Sequence, residues 1–73
     1  MNLRQVEEGK EYIVQDVRVD DEEMAAFLFS LGCYGGEPVT VIKLRRSGAV
    51  VAVKDGRYHM DRNLLEAISV QEA

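Results

Sequence analysis

The feature that most constrains the fold is the run from Pro38 to Met60, where three β-branched segments follow one another with only tight turns between them. Pro38 to Leu44 (PVTVIKL) alternates, with Val39 and Val41 on one face and Thr40, Ile42 and Leu44 on the other. Arg45-Arg46-Ser47-Gly48 reads as a turn. Ala49 to Lys54 (AVVAVK) is apolar enough for both of its faces to be at least partly buried. Asp55-Gly56 is the two-residue signal of a type I′ hairpin and leads into Arg57 to Met60 (RYHM), with Tyr58 and Met60 inward and His59 toward solvent.

Two further strands flank this run. Glu11 to Val19 (EYIVQDVRV) is rich in β-branched residues, and its alternation stumbles at Ile13-Val14-Gln15, the mark of a bulge or of two buried faces. Ile68-Ser69-Val70 closes the chain. Asn2 to Gly9 reads as a capped turn with Leu3 and Val6 pointing one way and Gly9 as a left-handed exit. Between the first two strands, Asp20-Asp21-Glu22-Glu23 opens a helix, with Asp20 as N-cap and Glu23 completing a capping box. Met24, Phe27, Leu28 and Leu31 follow at i, i+3, i+4 and i+7 as a core stripe, and Gly32 is the left-handed residue that ends the helix. Asp61 caps a short helical turn through Asn63 to Glu66 that packs Leu64 and Leu65. Five short strands leave exposed edges unless the sheet curls, so the expected fold is mainly β: one domain over residues 1–73, a small barrel of about five strands with one α-helix inserted after the first strand. A chain of 73 residues has a thin core and few residues to spare for an elaborate pocket.

The stretch LGCYGGEPVTVI (Leu31 to Ile42) crowds glycines, a thiol and a phenol together, yet it fits no ligand motif. No G-x-x-x-x-G-K-[ST] element exists, and Gly32, Gly35 and Gly36 follow a helix and precede a strand, the reverse of a dinucleotide-binding turn. The four consecutive carboxylates diverge around a helix, which suits capping better than a divalent cation. Cys33 and His59 lack the third group and the local signature of a nucleophile pair, so no enzyme is expected. His59 with Asp61 offers two ligands for a transition metal, held weakly, with a second copy of the chain as the source of the rest. A lone cysteine excludes an internal disulfide. Net charge is −4, without the basic excess of a nucleic-acid binder. Arg45 and Arg46, with Lys43 and Lys54, form the one basic cluster, either a solvated hairpin tip or a contact for an acidic partner. The N-terminal residues carry no signal-peptide pattern and no apolar run approaches a membrane span, so the expected location is cytoplasmic, with no direct membrane insertion. Phe29, with Ala25 and Ala26, lies off the core stripe. Either the barrel wraps this side of the helix, or Phe29, Ala25, Ala26 and the adjoining Cys33 and Tyr34 form a partner or homodimer surface.

Leu28-x-x-Leu31-Gly32, then Gly36-x-x-Val39-x-Val41, the hairpin turned at Asp55-Gly56 and the closing Leu64…Ile68-x-Val70 resemble the FeoA family, from Gly9 to Val70. The resemblance implies an SH3-like barrel, a cytoplasmic role in bacterial ferrous iron transport, and a partner, the membrane iron transporter FeoB with its GTP-binding domain. It implies a non-catalytic regulatory adaptor without a tight metal site. Phe27 where the family often has a basic residue, Cys33 where it is usually aliphatic, and His59-Met60-Asp61 ahead of Arg62 depart from the family pattern. The alternative is a metal-responsive or self-associating module of the same fold, with a transition metal bound weakly across a dimer.

Overall fold

Alternation along the valine-rich segments becomes a curled antiparallel sheet in the computed structural model, which describes residues 1–73. The elements run β1 (Glu11–Val17), α1 (Glu22–Leu31), β2 (Pro38–Leu44), β3 (Gly48–Val53), β4 (Gly56–Asp61), α2 (Arg62–Ala67) and β5 (Ile68–Glu72). The strands lie in the order β4-β3-β2-β1-β5, each neighbouring pair antiparallel. This is the expected mainly-β architecture, with a helix inserted after the first strand. The edge strands β4 and β5 are joined through α2 and make no ladder with each other, so the wall curls without closing.

Period-2 alternation puts Tyr12 and Val14, Val39 and Val41, Val51 and Val53, Met60, Ile68 and Val70 on the inner face. Leu3 and Val6 from the N-terminal turn, Leu28 from α1 and Leu65 from α2 close over that face. Every buried side chain is apolar. The interior therefore supplies cohesion, about 1.5–3 kcal/mol for each fully buried valine or leucine. The N-terminal turn is tied down at both levels: the Leu3 amide donates to Leu65 and Ile68 carbonyls at 3.2 Å, and the Asn2 side chain accepts the Arg4 amide at 2.9 Å. Gly9 takes the left-handed exit, φ 79°. The bulge sits where alternation fails, since the β1–β5 register shifts between Val14 and Asp16.

Four local expectations are corrected. β1 ends at Val17, because β5 begins opposite it at Ile68 and the next amide, Arg18, bonds the Ala67 carbonyl of α2 instead. The helix cap is Asp21 in place of Asp20: its backbone is extended and its carboxylate accepts the Glu23 amide at 2.9 Å. The β3–β4 turn is centred on Lys54 and Asp55, with Val53 paired to Gly56 and Lys54 at φ 55°. Gly56 belongs to the strand because the Tyr58 ring folds over it, where a Cβ would lie 2.2 Å from the phenol oxygen. Phe27 is no core residue: it is 50% exposed, since α1 meets the barrel along one narrow line through Leu28.

Candidate functional site

Helix α1 is held by little. Of its ten residues only Leu28 is buried, with Met24 and Leu31 packed partly against the core. Its end is firmer: Gly32, at φ 94°, donates its amide to the Leu28 and Phe29 carbonyls, and the Cys33 amide also bonds Leu28 at 2.9 Å. That left-handed turn swings Tyr34 back alongside the helix. The Phe29 and Tyr34 rings stack, centroids 4.7 Å apart and planes inclined by 26°. Phe29 is nevertheless 64% exposed and Tyr34 36%. The barrel thus does not wrap this face, and Ala25, Ala26 and Phe27 extend the apolar surface.

Beside the stacked rings runs a groove of about 250 Å³. Ala25, Phe29 and Tyr34 form one side, residues 15–17 of β1 the other, and Leu28 and Cys33 the floor. On the β1 side, the Arg18 guanidinium at 2.8 Å, with the Val17 amide, holds the Asp16 carboxyl below its usual range. Below the turn, Lys54 lies across Gly32, where a Cβ would meet its stem at 2.8 Å, and its ammonium reaches the Glu37 carboxylate at 2.5 Å. Lys54, together with the Tyr34 hydroxyl, lowers the Glu37 pKa.

The structure thus brings Ala25, Phe29 and Tyr34 together on one groove, with Ala26 on the exposed helix beside it. Cys33 does not join them as a projecting contact. It is 1% exposed and lies in the groove's floor, and burial pushes its thiol up to about 11, which disfavours the thiolate a nucleophile needs. His59 cannot act as its base, since it faces solvent on β4 opposite Val50, across the sheet from the core. Asp61 follows two residues later on the same strand, but its carboxylate is engaged as the α2 cap, accepting the Leu64 amide at 2.8 Å. No group of three or more His, Cys, Asp or Glu side chains converges to hold a metal ion. The basic cluster is rearranged: Lys54 leaves it for Glu37, and Arg46 shares a depression with Ser47, Asp61, Arg62 and Asn63, none of them a hydrophobic residue. Sequence reasoning missed both Arg62 and the β1 side of the groove, which become neighbours of Arg46 and Phe29 only through tertiary packing. No helix is long and apolar enough to cross a membrane.

Residues 1–72 match the family model of the FeoA domain. No curated protein matches the chain. Among solved structures, the FeoA protein of Chlorobium tepidum superposes with a TM-score of 0.87 at 23% identity, over 99% of this chain and 70% of its own. A FeoA described as an iron uptake regulatory protein gives 0.82 at 19% identity, over 97% and 95%. FeoA of Stenotrophomonas maltophilia, a prokaryotic SH3 domain protein complexed with zinc, gives 0.82 at 21% identity, over 97% and 89%. At such identities the likeness shows the fold, an SH3-like one.

Proposed function

The chain belongs to the FeoA family, which is associated with ferrous iron transport, and from that premise we propose that it is a cytoplasmic regulatory adaptor that docks onto a FeoB-like membrane iron transporter and its GTP-binding domain. The observation that carries this reading is the Phe29–Tyr34 stack, an aromatic pair left in water on a helix the barrel does not cover. Covering a phenylalanine side chain contributes about 1.5–3 kcal/mol, and aromatic residues of this kind dominate contact energetics. Ala25 and Ala26 allow a partner backbone to approach the helix closely. The acidic first turn, Glu22 and Glu23 behind Asp20 and Asp21, suits a basic rim on the partner. On this reading the surface acts by contact.

Retention of the chain by the transporter's immobilised cytoplasmic domain tests the reading. Phe29→Asp, at an exposed position, is expected to keep the circular dichroism and oligomeric state of the parent while weakening retention about thirtyfold or more, the equivalent of at least ~2 kcal/mol. Undiminished retention would reject the helix face as the contact.

A second reading takes support from the zinc of the Stenotrophomonas maltophilia neighbour. On this chain His59 and Asp61 would each give one ligand across a metal-linked homodimer. Combining His59→Ala with Asp61→Asn, which preserves a good helix cap, should then abolish zinc-dependent dimerisation in sedimentation. Dimerisation that survives both changes discards those ligands.

A further inference from the structure

Charge is distributed unevenly along this chain. Six of its nine basic residues and only two of its thirteen acidic ones lie between positions 43 and 62, a local charge of +4 within a net −4. Outside that segment every basic side chain has a carboxylate partner: Arg4 with Glu66, Lys10 with Glu72, Arg18 with Asp16. Inside it Lys54 alone is paired, and Lys43, Arg45, Arg46, Arg57 and Arg62 are not.

Two of these unpaired arginines line one concavity. Arg46 and Arg62 line a depression of about 390 Å³ with Ser47, Asn63 and Asp61, and no apolar side chain contributes to it. Its two walls, the β2–β3 turn and the start of α2, are locked together. The Arg62 amide donates to the Ser47 carbonyl at 3.1 Å, and the Arg45 amide to the Gly48 carbonyl at 2.8 Å. Gly48 lets the turn lie directly on β4, for a Cβ there would stand 2.3 Å from the Met60 carbonyl oxygen. Asp61 adds one negative charge, and its Oδ1 is engaged by the Leu64 amide.

We propose that this depression is an oxyanion site that takes the phosphate group of a small molecule or of a lipid headgroup. A guanidinium presents paired N–H donors in a planar fork that matches phosphate oxygens, and two forks with the Ser47 hydroxyl and the Asn63 amide satisfy several oxygens at once. Because Asp61 leaves the cavity only one net positive charge, binding depends on these directed hydrogen bonds and on both arginines. This site lies apart from the α1 groove and stands independently of the iron-transport reading.

Titrating the ¹⁵N-labelled chain with inorganic phosphate at constant ionic strength tests it. The amides of Ser47, Arg62 and Asn63 should shift saturably with a Kd on the order of 1 mM. Arg46→Gln and Arg62→Gln, both at exposed positions, should each weaken binding about tenfold or more, while Arg57→Gln, on β4 but outside the depression, should leave it unchanged. Vesicles of phosphatidylcholine with phosphatidylglycerol distinguish the sources. Retention that needs Arg46 and Arg62 assigns a lipid headgroup; phosphate binding without vesicle retention assigns a free small molecule. An absence of saturable shifts at the three amides, or an Arg57→Gln effect equal to that of Arg46→Gln, would overturn the proposal in favour of diffuse attraction.

Discussion

Replacing Leu28 by alanine asks whether helix α1 opens as a unit. Leu28 is the helix's one buried residue, and its carbonyl accepts the amide of Cys33, so the thiol is shielded where the helix is anchored. Leucine-to-alanine changes in cores cost about 2–5 kcal/mol. If that loss falls on the docking of α1, the opening that uncovers Cys33 becomes at least about thirtyfold more populated, since ~1.4 kcal/mol is a factor of ten. The wild-type thiol starts from deep protection. Burial raises it from 9.0 to about 11, which alone makes thiolate roughly a hundredfold scarcer at pH 8 or below, and occlusion multiplies the effect. Reaction with an aromatic disulfide reagent at pH 8 should therefore run more than a hundredfold slower in the native chain than in urea, and Leu28→Ala should recover about thirtyfold of that gap. The raised pKa also fixes a sign. The native state holds this proton more tightly than the unfolded chain, so the stability it contributes is complete below pH 9 and disappears as pH climbs through about 11. Cys33→Ala should lack that alkaline loss. A Leu28→Ala variant that melts earlier yet keeps the wild-type ratio of native to unfolded reactivity would refute the reasoning, because the barrel and not the helix would then guard the thiol.

Two further substitutions separate causes that look alike in the sequence. Gly48→Ala drives a methyl against the Met60 carbonyl and should cost about 1–3 kcal/mol, lowering Tm by roughly 4–8 °C per kcal/mol; Gly9→Ala, at φ 79° in open space, should cost only about 1 kcal/mol, and thermal melts that reverse this order would contradict the packing described for the β2–β3 turn. Asp61→Ala removes the α2 cap and should destabilise by about 1 kcal/mol, whereas Asp61→Asn should be close to neutral in the same denaturant titration.

Much of the fold was legible because local physics and tertiary packing agree there. Gly32 ends α1 in the left-handed conformation that only glycine takes without strain, and the valines of β2 turn to the face that alternation assigns them. Strand β3 has both faces at least partly buried, as its apolar run implies. What escaped was decided by neighbours. Asp20 and Asp21 are equal candidates for the cap until backbone angles select one. Phe27 keeps perfect helical spacing, but no element arrives to cover it. The hairpin shifted to Lys54-Asp55 because Tyr58 needs the space above Gly56. On the groove, Phe29 and Tyr34 were readable as an off-stripe aromatic beside a turn, whereas Cys33, expected as a contact with them, follows instead the ordinary preference of a free cysteine for burial. Arg46 and Arg62 are far apart in the chain and meet only after β4 has paired with β3 and α2 has folded back.

The pairing of β1 with β5 places the first strand beside the last, with Val14 opposite Val70 and the Val70 amide bonded to the Met1 carbonyl. During synthesis β1 gains β2 as soon as residues 38–44 emerge, but its other edge stays open until Ile68–Glu72 leave the ribosome. Tyr12 and Val14 wait half covered through that interval, and β1 keeps one edge unpaired until β5 arrives. Completion is then a single long-range closure, the kind of step that sets a slow folding rate at small size. Until β5 pairs, the open edge of β1 is exposed to wrong pairing, so yield depends on how quickly the fifth strand follows the fourth.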